Sequence, residues 1–149
     1  MNYPGTAPTI RTAVVEDLAS IERLLSESAL PREGLPPHLP NFLVAELNEA
    51  VIGAIGLEVY ERKGLVRSLV VASRHQREGI GARLLATITD HARRRGVRDL
   101  YLLTTTAQEY FARKGFSVLE RAAVQGAILT SSEFQGACPS TAICMIKGL

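Results

Sequence analysis

An α+β fold, with one mixed and mostly antiparallel sheet flanked by helices, is what this sequence predicts, and three observations predict it. A strand-like apolar run, Leu65 to Val71, passes through a polar stretch into a helix that opens at Gly79-Ile80-Gly81. Two further strand-like runs, Phe42 to Leu47 and Val51 to Tyr60, precede it with only Asn48-Glu49 to turn on, so they pair as a hairpin. Beyond the helix, strands and one short helix resume. The expected order is β-α-loop-β-β-β-α-β-α-β-β. A dinucleotide-binding fold would alternate strand and helix throughout, and this chain does not.

Each element has its own warrant. Residues 1–8 carry no pattern and are expected to be a loose tail on a single domain spanning 1–149. Ile10 to Val14 reads as a short strand. Leu18, Ile21, Leu24 and Leu25 then make one apolar helical face, which should fail near Leu30 because Pro31 disfavours helical geometry in the residue before it. The Pro-rich stretch LPREGLPPHLPN is a long loop with a short turn near His38 to Phe42. Lys63-Gly64 turns the chain into the Leu65–Val71 strand. Ile80, Leu84, Leu85, Ile88 and Ala92 form the stripe of the central helix, and Arg94-Arg95-Gly96 closes it. Asp99 to Thr105 is a strand whose run Leu100-Tyr101-Leu102-Leu103 implies burial on both faces. Ala107 to Lys114 is a helix stopped by Gly115, and Phe116 to Leu119 a strand. Arg121 to Gln135 is a loop with a helical turn around Val124 to Leu129, and Thr141 to Lys147 is the last strand.

Composition excludes some classes of function. A formal net charge of +2 is too small to argue for nucleic acid. No apolar run approaches the roughly 20 residues of a membrane span. The first residues lack the pattern of a secretion signal, and two cysteines make no disulfide framework, so a cytoplasmic protein is expected. His38, His75 and His91 have no metal-ligand spacing, and Cys138 and Cys144 read as packing residues rather than soft-metal ligands; no metal is expected.

The strand that feeds a glycine-opened helix is a device for holding phosphate. The first N–H groups of a helix lack partners within it and carry positive partial charge. The third glycine or alanine of a dinucleotide fingerprint would stand at position 84, which is Leu84, and a P-loop's Gly-Lys-Ser/Thr is missing. Gln76-Arg77-Glu78-Gly79-Ile80-Gly81 instead resembles the acetyl-CoA signature of the GNAT N-acetyltransferase superfamily, Arg/Gln-x-x-Gly-x-Gly/Ala. A second run, from Ala107 through Phe111 to Gly115-Phe116, is similar to that family's as well. The resemblance covers about residues 9 to 147 in element order. More narrowly, Leu57-Glu58-Val59-Tyr60, Arg67-Ser68, Leu102 to Thr106 and Glu133-Phe134…Cys138-Pro139-Ser140 are similar to a branch associated with arsenic-resistance operons, near enzymes that acetylate phosphinothricin-like amino acids.

The resemblance implies a cytoplasmic acyltransferase that moves an acetyl group from acetyl-CoA to the amine of a small, anionic, amino-acid-like acceptor. No covalent acetyl-enzyme is implied, and a homodimer is an option that many relatives adopt. It implies that the backbone of Leu69, Val70 and Val71 holds the pantetheine arm, while Gln76, Arg77, Glu78, Gly79, Ile80, Gly81 and Ala82 cradle the pyrophosphate. Arg74, Arg77 and Arg83 add positive charge near the same helix end. The family's usual acid, a tyrosine, falls at Phe111, with Tyr110 one position early and turned about 100° around the helix. Tyr110 is therefore either an acid or a packing residue. Thr104 is a cofactor contact or a strand-end cap, and Thr105 and Glu33 are expected at the substrate.

Where many relatives carry an acid, this chain has Arg67, expected on one face with Leu69 and Val71. Two accounts stand side by side: an ion pair with Glu58 or Glu61, or a fork for a substrate carboxylate. Glu58 is then the base, acting through water, or simply the structural partner of Arg67. Two other functions remain open at this stage: an acyl-CoA-binding module without catalysis, and a protein or peptide N-acetyltransferase.

Overall fold

The structure, a computed structural model, describes residues 7–149, so most of the expected N-terminal tail lies outside the described residues. Seven strands form one mixed sheet: β1 (Thr9–Thr12), β2 (Phe42–Leu47), β3 (Ala50–Tyr60), β4 (Lys63–Val71), β5 (Asp99–Thr104), β6 (Ser117–Val118) and β7 (Ile143–Gly148). Their spatial order is β1-β2-β3-β4-β5-β7-β6. The helices are α1 (Leu18–Glu27), α2 (Ile80–Arg94) and α3 (Gln108–Arg113). This is the α+β architecture and element order that the sequence predicts. Pairing is antiparallel for β1–β2, β2–β3, β5–β7 and β6–β7, and parallel for β4–β5 over Lys63↔Asp99 to Leu65↔Tyr101.

The described residues divide into two compact units, residues 7–56 with 68–90, and residues 57–67 with 91–149. In the first, α1 turns Ile21, Leu24 and Leu25 inward onto Phe42, Val44, Ala54 and Val70. Gly56 lets Phe42 in: a Cβ there would lie 2.2 Å from the ring, so any side chain at this position displaces a core aromatic. In the second unit, Leu65, Tyr101 and Cys144 from three strands pack with Val124 and Ile128.

Several boundaries differ from expectation for local reasons. Helix α1 stops at Glu27, ahead of Pro31, because Ala29 turns left-handed (φ 54°) and the Leu30 N–H bonds the Leu25 carbonyl. The turn into β4 is made by Glu61-Arg62, with Glu61 at φ 57°, so Lys63 and Gly64 belong to the strand and already pair with β5. The proline stretch forms a 3-10 turn over Pro36–Asn41. The segment after β6 holds 3-10 turns at Arg121–Ala123 and Ala127–Thr130 and a π turn at Glu133–Ala137, where one turn around Val124 to Leu129 was expected.

The start of α1 is tied by charge. Asp17 precedes the helix, accepts the Val14 N–H at 2.8 Å, and accepts two further bonds from the Arg11 guanidinium at 2.8 and 3.0 Å. Arg11 also reaches Glu46 on β2 at 3.2 Å. The Arg11 hydrogen bonds hold the Asp17 carboxyl below its usual value, against burial, which would raise it. With the folded value the lower one, the stabilisation is complete above the unfolded value of about 3.9 and is lost as pH falls through the folded value. Asp17→Asn is expected to cost about 1 kcal/mol at neutral pH and to flatten the acid side of the stability curve. Urea unfolding from pH 7 to pH 2.5 measures both effects, and an Asp17→Asn curve parallel to wild type would remove the charge from the account.

Candidate active site

In the first unit, the strand-to-helix connection is built backbone first. Ser68 lies inside β4 with a left-handed backbone (φ 62°) and is buried. That residue interrupts the two-residue alternation of the strand. Arg67 is buried, while Leu69 and Val71 are half-buried. The chain then leaves the sheet through a 3-10 turn at Ser73–His75. The Gln76 side-chain amide donates to the Val71 carbonyl at 3.2 Å, and His75 contacts Glu78 at 3.2 Å, so the polar run is folded onto itself.

Arg77 (φ 67°) and Gly79 (φ 81°) are both left-handed, and they swing the chain into α2, whose fourth turn residue Arg83 bonds back to the Gly79 carbonyl at 3.1 Å. Gln76, Arg77, Glu78 and Gly79 are exposed, Ile80 is buried, and Gly81 and Ala82 are half-buried. A Cβ built on Gly79 meets nothing within 4 Å. The helix start is thus open above an exposed backbone whose N–H groups have no helical partners, the arrangement that receives phosphate. Arg74 and Arg83 are exposed near the same end of the chain segment. Glu33, also in this unit, is exposed in the loop after α1.

In the second unit, Glu58 of β3 and Arg67 of β4 are brought together. Arg67 Nη1 donates to Glu58 Oε2 at 2.8 Å, and the two side chains are 0% and 1% exposed. The Tyr60 hydroxyl donates to the other oxygen, Glu58 Oε1. A third charge completes the group: Glu133 Oε2, from the π turn, lies 3.6 Å from Arg67 Nε with its side chain 4% exposed. Cys138 hydrogen-bonds to Glu133, and burial followed by that carboxylate pushes its thiol up to about 12. Burial, then Glu58, likewise raises the Tyr60 phenol, so both neutral neighbours act as donors at ordinary pH. Among the described residues no buried side-chain nitrogen or oxygen lacks a hydrogen-bond partner.

The remaining predicted residues of this unit sit at the end of β5 and on α3. Thr104 Oγ1 accepts the Ala107 N–H at 3.0 Å, the strand-end cap, and Thr105 is exposed. Phe111 is buried with its ring edge-on to Phe116, centroids 5.6 Å apart. Tyr110 is half-buried, edge-on to Phe111 at 5.2 Å, and burial raises its phenol above the usual value. At neutral pH Tyr110 is therefore protonated and can donate. Cys144 is buried in the second core, as a packing residue would be. Among the described residues no cluster of three or more His, Cys, Asp or Glu could hold a metal ion, and no helix is long and apolar enough to cross a membrane.

Glu133 was not singled out by chemistry in the sequence. It stands in a segment without periodicity, and the only signal was its place in the run Glu133-Phe134…Cys138-Pro139.

Comparison with known proteins bears on this geometry. The acetyltransferase (GNAT) domain model matches residues 38–118. An amino-acid acetyltransferase from Neisseria meningitidis serogroup A is 32% identical over 108 residues, covering 68% of this chain and 25% of that protein. This chain thus spans about a quarter of the length of the curated relatives it matches. The N-acetylglutamate synthase of Neisseria gonorrhoeae, complexed with coenzyme A and N-acetyl-glutamate, has a TM-score of 0.82 at 27% identity, covering 95% of this chain and 35% of that one. The Mycobacterium tuberculosis protein Rv2747, in complex with CoA and NLQ, shares the fold at TM-score 0.79 and 23% identity, covering 95% of this chain and 99% of that one.

Proposed function

This chain belongs to the GNAT acetyltransferase domain family, and we propose that it transfers the acetyl group of acetyl-CoA to the amine of a small, anionic, amino-acid-like acceptor. The observation that carries the proposal is the Gln76–Gly81 turn, with its exposed backbone, left-handed Gly79 and open space ahead of a 15-residue helix. Its N–H groups, with the helix dipole behind them, suit a pyrophosphate. The backbone of Leu69 to Val71 is assigned to the pantetheine arm. The thioester supplies the acetyl group: a nitrogen–carbon bond forms, the carbon–sulfur bond breaks, and one amine proton is passed on as the thiolate leaves.

Within the second unit, Glu58 is assigned as the proton acceptor through water and Tyr110 as a donor, while Arg67 supplies the cation for an acceptor carboxylate. The acceptor class draws support from relatives named as amino-acid acetyltransferases and from a neighbour solved with N-acetyl-glutamate. One observation favours a rival, an acyl-CoA-binding module without turnover. Phe111 occupies the slot of the family's acid, has no proton to give, and packs against Phe116.

Release of CoA thiol, measured with acetyl-CoA and a panel of amines, separates these alternatives. The panel contains glutamate, aspartate, methionine sulfoximine, phosphinothricin and a polyamine. Turnover on the acidic amino acids is expected. Acetyl-CoA binding without turnover on any amine would establish the module, and activity on the polyamine alone would remove the anionic acceptor.

A further inference from the structure

We propose that the Tyr60 hydroxyl is the relay through which Glu58 takes up a proton during transfer. The inference rests on Glu58 as the proton acceptor of the proposed function, and it adds the route by which the proton arrives. A route is needed because the Glu58 side chain is only 1% exposed, so bulk water barely touches the carboxylate. Each of its oxygens is bonded by a side chain. Arg67 Nη1 donates to Oε2 at 2.8 Å, and the Tyr60 hydroxyl donates to Oε1. A guanidinium has donors but no acceptor and keeps its charge, so no proton passes through Arg67. A phenol both donates and accepts, so it can hand one proton on while it receives another.

Position and protonation both suit Tyr60 to this part. Tyr60 is half-buried at the last residue of β3, beside the exposed Glu61 and Arg62, whereas the Arg67 and Glu133 side chains are 0% and 4% exposed. It is thus the member of the group that extends from the buried carboxylate toward solvent. Burial, then the bond to Glu58, raises the phenol above its usual value, so the proton to be handed over is present at neutral pH. The step balances without any further reagent. The phenol O–H breaks as an O–H forms at Glu58 Oε1, and the phenol oxygen takes a proton from a water that carries it from the acceptor amine. Tyr60 ends as it began, and Glu58 ends neutral. Neutral Glu58 does not strand the buried cation, because Glu133 Oε2 lies 3.6 Å from Arg67 Nε and keeps its charge.

The test measures acetyl transfer at saturating acetyl-CoA, with the best amine that wild type acetylates. Tyr60→Phe is expected to lower kcat about 100-fold while the amine KM changes less than about threefold, since the relay is lost and the acceptor's contacts are kept. Fluorinated tyrosines placed at position 60 keep the hydroxyl and make it a stronger acid. Their kcat is expected to change stepwise with phenol acidity, a response that a packing role for Tyr60 would not give. A Tyr60→Phe kcat within about threefold of wild type, or one kcat across the fluorotyrosine series, would overturn the relay and leave the proposed function standing. Should Tyr60→Phe not fold, as urea unfolding would reveal, the fluorotyrosine series decides alone. Wild type without turnover on any amine would sink the proposed function and the relay together.

Discussion

Arg67→Ala is expected to lose about 3–5 kcal/mol of folding stability, the cost of removing one partner from a buried ionic group. The substitution takes away the cation between two carboxylates whose side chains are 1% and 4% exposed. Glu58 and Glu133 would then face each other across a cavity without a counter-charge, and one of them must take up a proton or drag in water. Replacing all three together, as Glu58→Gln, Arg67→Met and Glu133→Gln, should recover much of the stability, since similar volume is kept without a lone charge. Equilibrium urea unfolding of the single and triple variants measures this. A loss below about 1 kcal/mol for Arg67→Ala would mean that the carboxylates are hydrated rather than buried.

Gly79→Val is expected to raise the KM for acetyl-CoA by at least about tenfold, at a folding cost of about 1–2 kcal/mol for a branched residue in a left-handed conformation. The two effects can be separated by a control already present in the chain. Gly96, after the other end of α2, has the same φ of 81° and likewise nothing within 4 Å of a built Cβ. Gly96→Val thus carries the same backbone strain without placing methyl groups over a helix N-terminus. Equal folding losses with a KM change confined to Gly79→Val are the expected outcome, read from urea unfolding and initial rates. Equal KM values in the two variants would remove the Gln76–Gly81 turn from the cofactor site.

The elements most legible in the sequence are those whose signal is local. The stripe Ile80, Leu84, Leu85, Ile88 and Ala92 is buried throughout, and the hairpin of β2 and β3 turns where Asn48-Glu49 stands. Both follow from periodicity or from turn chemistry over a few residues. What was not legible depends on contacts between distant parts of the chain or on single backbone angles. The left-handed Ser68 has no composition cue, because such conformations favour glycine and asparagine. The Arg67–Glu58 contact could be framed in advance as one of two accounts, since adjacent strands bring such residues opposite each other. Glu133 could not, because a turn-rich segment gives no register by which to place its side chain. Tyr110 and Phe111 were placed correctly on a helix, yet which of them faces inward came from packing: Phe111 is buried and Tyr110 half-buried.

The lengths of the strands carry one more consequence. β3 and β4, inside the sheet, have 11 and 9 residues, while the edge strands β1 and β6 have 4 and 2. An edge is where a sheet offers unpaired N–H and C=O groups to another chain, and short edges offer few of them. Val118 of β6 is 58% exposed, yet its strand ends after two residues, so that hydrophobic side chain is not backed by a long row of free backbone groups. Uncontrolled strand addition, the route by which sheet proteins seed fibrils, is thereby starved of a template at both margins.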